Sequence, residues 1–432
     1  MKESGQAGQP QAGFRAAQWR ILLATMFCYL FFYTGRQTFG FAIPGIEEEL
    51  GISKAMLGWA SAALLWSYAL GQAINGNLGD RFGGRRMMSL GAVLSCGLNW
   101  AVSFGSSLWT LMVPWAANGY AQSMGWAPGS RVLSNWWNRH ERGKVYGLYV
   151  FAAGLSSVLA FTTSTIILDL DLGWRWIFRL PVLLLLVGGL GYFVVVRDRP
   201  QELGFAPLDD EDENLESASK AKASAPAHPQ AEPESETDSS WSRYRHVLRN
   251  RRFLIASVAI GFQSMARYGL LIWVPVHFLG ADWKNSDTKW ISIALPIGMA
   301  FGALTSGWVS DRLFHSNRSR VIVLFMLLAA MSSLGMFFLP KDSPVGIAVL
   351  FLTGFFAYGP QSAFWALCPD LLGRKRAGTG TGIMNTFAYL FAGFGEPLIG
   401  WIIEVNDQTR LVFVVVAVAC LFSALIAPFI RR

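Results

Sequence analysis

Long apolar blocks, each about twenty residues or more, alternate along the chain with short polar connectors. The runs over Ile21–Ile43, Phe253–Phe278 and Leu411–Ile430 each reach the length that carries a helix across a bilayer. About twelve such segments can be counted, starting near Ile21, Ala55, Met87, Leu108, Lys144, Trp176, Phe253, Lys289, Val321, Val345, Ala377 and Leu411. Several contain Gly and Pro, which transmembrane helices tolerate because neighbouring helices satisfy the freed backbone. The pattern predicts an all-α integral membrane protein of twelve spans. A soluble helical core has no room for twelve continuous apolar runs.

The connectors alternate in charge. "DRFGGRR" (80–86), "NRHERGK" (138–144), "DRLFHSNRSR" (311–320) and "GRKRAG" (373–378) are basic. "PGIEEELGISK" (44–54), "LDLDLG" (168–173) and "EVNDQ" (404–408) are acidic or nearly neutral. By the positive-inside rule the basic loops and both termini face the cytoplasm, as in a bacterial inner-membrane protein. The polar N-terminus, followed by a long apolar run without a small-residue cleavage site, reads as a retained first span. A central stretch breaks the pattern: residues 207–240 are Ala, Ser, Pro and acid, with almost no large apolar side chain. Such a composition predicts a disordered linker. It divides the chain into residues 1–199, a linker over 200–250, and residues 251–432.

The two halves repeat. At an offset of 231 residues Arg36 falls on Arg267, Pro44 on Pro275, Trp59 on Trp290, Gly71 on Gly302, Gly76 on Gly307, and Asp80-Arg81 on Asp311-Arg312. Two six-helix bundles related by pseudo-symmetry follow, with a ligand site expected near the midplane between them.

Composition adjusts this picture in two ways. Hydrophobic residues are 53% of the chain and charged ones 15%, against about a quarter in soluble proteins. The net charge of +8 is then mostly a record of topology, and no basic patch interleaved with exposed aromatics suggests nucleic acid. Cys28, Cys96, Cys368 and Cys420 all fall in apolar spans, so neither a disulfide framework nor a metal site is expected. No phosphate loop, nucleophile elbow or cofactor motif points to an enzyme.

The chemistry lies in "FFYTGRQTFGF" (31–41), where Arg36 interrupts an apolar span, and in its counterpart Arg267. A guanidinium cannot shed its proton, and its burial in a membrane costs about 2.5–3.5 kcal/mol or more. Spans one to six carry no Asp or Glu away from their ends, and the second half offers only Glu396. Two arginines without two carboxylates leave a positive site, which an anion gripped between the halves would fill.

Several motifs resemble the major facilitator superfamily, and within it the organophosphate:phosphate antiporters. The superfamily signature is "GNLGDRFGGRR" (76–86), with a degenerate copy at Gly307, Asp311 and Arg312. The subfamily signals are "YLFFYTGRQTFGFAIPG" (29–45), "GYAQSMGWAPGSRVLSNWWNRHERG" (119–143), "ARYGLLIWVPVHFL" (266–279) and "GFFAYGPQ" (354–361). The resemblance implies that Arg36 and Arg267 hold a phosphoryl group in a cavity lined by Tyr29, Tyr33, Tyr68 and Tyr149. It also implies that the family's lysine on span two is replaced by Gln72. The first-span arginine is followed by Gln37, the family's span-five histidine falls at Ala153, and its span-eight glutamate falls at Pro296. A phosphate ester, a phosphonate or a carboxylate would each suit two arginine forks. Asp80, Arg81, Arg85, Arg131, Asp311 and Arg312 are expected at a cytoplasmic gate. The expected function is alternating-access exchange of one anion for another by a monomer whose partners are a small anion and the bilayer. A proton- or sodium-coupled symporter using Glu396, and a transporter-like anion sensor, are the alternatives.

Overall fold

The computed structural model describes residues 13–206, 240–280, 283–284, 286–314, 317–372 and 377–430. Every described element is helical. Span one runs over Phe14–Leu50 and is broken in the middle. Spans two and three are Lys54–Phe82 and Gly84–Ser103. Span four consists of Leu108–Gln122 and Trp126–Trp136; span five is Arg139–Asp169; span six joins Trp174–Arg179 to Pro181–Val195. Spans seven to nine are Arg251–Leu279, Ala294–Leu313 (entered through a 3-10 segment, Asp287–Ile293) and Arg318–Phe338. Span ten comprises Val345–Tyr358 and Gln361–Leu372, span eleven is Ala377–Asn406, and span twelve is Leu411–Ile426. Most of the predicted linker lies outside the described residues, but Ser240–Arg249 is a helix leading into span seven. Its "SRYRHVLR" carries the Tyr and Val that the acidic stretch lacks.

The sequence repeat reappears as a repeat of helix pairs. In the first half span one packs on five and six, and span three on four and six, while span two packs on four. In the second half seven packs on eleven and twelve, nine on ten and twelve, and eight on ten. Contacts between the halves obey the same rule, since two packs on eleven and five on eight, with the outer part of one against seven. Gly71 and Gly302, equivalent in the repeat, show why glycine recurs there. A Cβ at Gly302 would collide with the Phe355 carbonyl of span ten, and one at Gly71 with Ser123 of span four. Bare backbone allows the close crossings that dispersion forces need where lipid gives no hydrophobic drive.

The side at which span one begins at Phe14 and span twelve ends at Ile426 is here termed the terminal side. Several contacts that join the halves lie at the midplane or toward the other, far side. There Trp283 Nε1 donates to Glu48 Oε2 at 2.5 Å, Lys284 Nζ stands 3.6 Å from Glu48 Oε1, and Lys289 Nζ lies 2.8 Å from Asp169 Oδ1. Ala55 N donates to Glu404 Oε2 at 2.9 Å, and Trp66 Nε1 to the Leu390 carbonyl at 3.2 Å. A Cβ on Gly58 would strike the backbone of Glu396 and Pro397, so spans two and eleven touch backbone to backbone. The acidic far-side loops thus serve partly as clasps. The "EEE" of 47–49 takes three separate cationic partners, Lys54, Lys284 and Arg175.

Candidate functional site

Arg36 and Arg267 are 6% and 8% exposed, far below what a free arginine prefers. Each is held by aromatic faces. The Arg36 guanidinium carbon lies 4.1 Å from the Tyr33 ring centre and 4.7 Å from that of Tyr68. For Arg267 the rings are Tyr358 at 4.2 Å and Tyr268 at 5.0 Å. A buried cation gains roughly 0.5–2 kcal/mol from such a ring. That offsets only part of a desolvation cost of several kcal/mol per ion. The Nε of each arginine has no hydrogen-bond partner, and neither arginine forms an ion pair with a carboxylate among the described residues.

The two arginines belong to one cluster. Tyr33 on span one is close enough to both arginines to feel their charge. The Tyr68 ring of span two packs 4.6 Å from Tyr389 of span eleven, whose hydroxyl accepts from the Tyr268 hydroxyl at 3.0 Å. A narrow cleft between the halves is lined by Arg36, Gln37, Ser61, Tyr68, Tyr268 and Tyr389, among others. Its polar groups come from spans one, two, seven and eleven, so the site is complete only when both halves contribute. Glu396 stands behind this wall. It is fully buried, accepts from Trp273 Nε1 at 2.9 Å and faces Ser61. Its other oxygen has no partner, and it does not neutralise either arginine.

The remaining sequence candidates divide. Tyr33 and Tyr68 touch Arg36 directly. Tyr29 and Tyr149 sit deeper in the first half: Tyr29 packs 5.8 Å from Tyr33 and 4.9 Å from Tyr149. Tyr149 stacks on Trp126 at 4.6 Å, and its hydroxyl donates to the Gly125 carbonyl at 3.4 Å. Both back the site from within the bundle. Gln72 is half-buried one turn from Tyr68, outside the residues lining the cleft. Of the gate residues, Arg85 anchors span three to span six of its own half. Its N–H donates to Asp198 Oδ1 at 2.8 Å and its Nε to the Phe193 carbonyl at 2.6 Å. Arg81 and Arg312 are exposed and Arg131 is half-buried. The side chains of Asp80 and Asp311 lie outside the described residues.

Sequence reasoning missed Tyr268, Tyr358 and Tyr389 as ring partners. Two had a signal: Tyr268 directly follows Arg267, and Tyr358 lies inside "GFFAYGPQ". Tyr389 had none beyond being a lone mid-span tyrosine.

Comparisons with known proteins find relatives over nearly the whole chain. The chain is 29% identical to a "Probable hexose phosphate transport protein" of Chlamydia pneumoniae, covering 95% of this chain and 91% of the relative. It is 26% identical to a "Glycerol-3-phosphate transporter" of Bacillus subtilis (91% and 88% covered), and 28% to the "Membrane sensor protein UhpC" of Salmonella typhimurium (96% and 93%). Among solved structures, a bacterial homolog of the human lysosomal transporter Spinster, inward-facing and unoccupied, superposes with a TM-score of 0.74 at 14% identity over 96% of both chains. A D-xylose-proton symporter reaches 0.69 at 16% identity, covering 96% of this chain and 97% of that one; both show a shared fold. Residues 25–396 and 290–432 match the sequence pattern of the Major Facilitator Superfamily, and this multi-pass membrane protein belongs to that superfamily.

Proposed function

We propose that the protein is a secondary transporter of a small organic anion, in first place an organophosphate, exchanged for inorganic phosphate by alternating access. The observation that carries this reading is the pair Arg36 and Arg267. They are buried, drawn from opposite halves, each packed on a tyrosine ring that lines one cleft (Tyr68 for Arg36, Tyr268 for Arg267), and have no carboxylate partner among the described residues. A dianion neutralises two such cations through forked, charge-assisted hydrogen bonds. Relatives named for hexose phosphate and glycerol 3-phosphate transport support an organophosphate over a carboxylate.

Exchange follows from charge. An empty carrier must move two bare cations through a low-dielectric barrier, whereas a loaded one moves a nearly neutral cluster. Residues 1–199 and 251–432 act as the rocking bodies, joined by a tether over 200–250. The clasp of Glu48, Asp169 and Lys289 holds the far side shut. Asp80, Arg81, Arg131, Asp311 and Arg312 form the opposing gate when the terminal side closes. In this reading both termini are cytoplasmic, in a bacterial inner membrane, and a monomer suffices because one chain supplies both arginines.

The test is counterflow in proteoliposomes preloaded with phosphate, screened against labelled phosphate esters, phosphonates and carboxylates. Uptake of a phosphate ester that requires internal phosphate and vanishes in Arg36→Ala and Arg267→Ala is expected. Uptake of any anion by either variant at wild-type affinity would remove the two-arginine site.

A further inference from the structure

Span one is two helices. Phe14–Phe32 is followed by a single 3-10 turn, Tyr33–Gly35, then by Arg36 with φ −143°, and a second helix begins at Phe39. The break is held by neighbouring spans. Asn99 and Asn118 donate to the Gly35 carbonyl at 3.1 and 2.6 Å, Asn118 accepts from Ser95 at 2.6 Å, and Gln122 donates to Ser95 at 2.7 Å. All four side chains are buried. The amide donors of Asn99, Asn118 and Gln122 are all engaged, although Asn99 Oδ1 and Gln122 Oε1 have no partner. The cluster fixes the turn that aims Arg36 into the cleft.

The second helix, Phe39–Leu50, therefore starts inside the membrane. Arg36 and Gln37 N–H groups both reach the Tyr33 carbonyl at 3.1 and 2.8 Å, and Phe41 N–H reaches Thr38 at 3.1 Å. Thr38, at the cap, accepts no N–H through its side chain. Among the described residues, the N–H groups of Thr38, Phe39 and Gly40 have no backbone partner outside their helix. Helix N–H groups point toward the N-terminus and carry the positive end of the macrodipole. These point back toward the midplane, where Arg36 and Gln37 line the cleft.

Gln37 supplies an independent indication. It is 2% exposed, lines the cleft, and neither its amide nitrogen nor its amide oxygen has a partner. The Thr38 hydroxyl is also buried and unpartnered. Buried polar groups left unpaired are rare in folded proteins, and for one that lines a cleft a bound ligand supplies the partner. Span seven offers no counterpart, since the helix Arg251–Leu279 runs unbroken through Arg267.

We propose that the start of the half-helix Phe39–Leu50, with the Gln37 amide, forms a third arm of the anion site. Its N–H groups and the amide nitrogen grip oxygens of the same tetrahedral oxyanion that the arginines hold. The two halves then bind unequally: span seven gives a charge, and span one gives a charge together with a row of fixed donors. Discontinuous helices in membrane transporters present such ends to anionic groups. The proposal rests on the anion-exchange reading, and its test separates the two.

The probe is inorganic phosphate, added to the purified full-length protein, with binding followed by calorimetry and thermal shift. Gln37→Leu is expected to weaken phosphate binding about tenfold or more, the effect of one lost charge-assisted hydrogen bond. Gln37→Glu places a carboxylate where the anion sits, so phosphate binding should vanish while the phosphate-free protein becomes more heat-stable. In the wild type, amide hydrogen exchange over residues 37–41 should slow when phosphate is added, a readout that needs no variant to fold. Phosphate binding that Arg36→Ala abolishes, with Gln37→Leu within twofold of wild type and exchange over 37–41 unchanged, would overturn the third arm and leave the two-arginine site intact. A wild type that binds no phosphate would overturn both.

Discussion

Consider Arg267→Ala in the purified protein. The side chain is 8% exposed, and it packs on two tyrosine rings at 4.2 and 5.0 Å. Without ligand, two rings return roughly 1–4 kcal/mol against a desolvation cost of several kcal/mol, so the arginine is a burden on the empty protein. Its removal should leave the melting temperature unchanged or raise it. With ligand the balance reverses. Losing one forked partner of a buried anion costs about 3–5 kcal/mol, a fall in affinity of roughly two to three and a half decades. The contrast is measurable by linkage. At a phosphate concentration of about 100 times the wild-type Kd, binding stabilises the wild type by ~2.7 kcal/mol. In a variant weakened a hundredfold, the same concentration equals its Kd, and the stabilisation falls to ~0.4 kcal/mol. Thermal melts with and without phosphate, on variant and wild type at equal ionic strength, decide the matter. A variant that melts well below the wild type without ligand, yet keeps the full phosphate-induced shift, would refute the reasoning. Arg267 would then be a structural residue stabilised by its tyrosines.

Four further outcomes can be measured. Efflux from loaded vesicles should be slow into anion-free buffer and fast when phosphate is outside, because a barrier of even 3 kcal/mol slows empty return by more than a hundredfold. An imposed pH gradient should drive no uptake into empty vesicles, in wild type or in Glu396→Gln; gradient-driven uptake that Glu396→Gln removes would replace exchange with proton symport. Asp169→Asn should unlatch the far side, since it leaves the buried Lys289 without the carboxylate 2.8 Å away. With Asp169 itself half-exposed, a shift of about 1–2 kcal/mol is expected, read as longer spin-label distances between positions 52 and 405. Deleting residues 209–239 should leave exchange rates within about twofold, because a stretch of Ala, Ser, Pro and acid has no apolar surface to pack; a variant that inserts but does not transport would show a role for the loop.

Much of this protein is fixed by local chemistry and so can be read along the chain. A span must satisfy its backbone by itself in hydrocarbon, so apolar length alone located twelve helices, most of them starting within a few residues of where the structure places them. Arg36 and Arg267 stood out for the same reason, because a cation inside such a run has no solvent to retreat to. The offset that relates them also relates the helix pairs of the two halves, since equivalent glycines allow equivalent crossings. What the chain alone left open depends on groups brought together from distant positions. Whether a mid-span tyrosine faces lipid, core or cleft is decided by helix rotation. Tyr389 therefore reached the cleft unannounced, while Tyr149 turned to the Gly125 carbonyl and Arg85 to its own half. The break in span one is the clearest case. "FFYTGRQTFGF" is apolar enough to continue as helix, and only Asn99 and Asn118, from two other spans, make it cheaper to open a turn at Gly35. A hydrogen bond across more than sixty residues of sequence leaves no trace in the local pattern, yet it determines where the charge points.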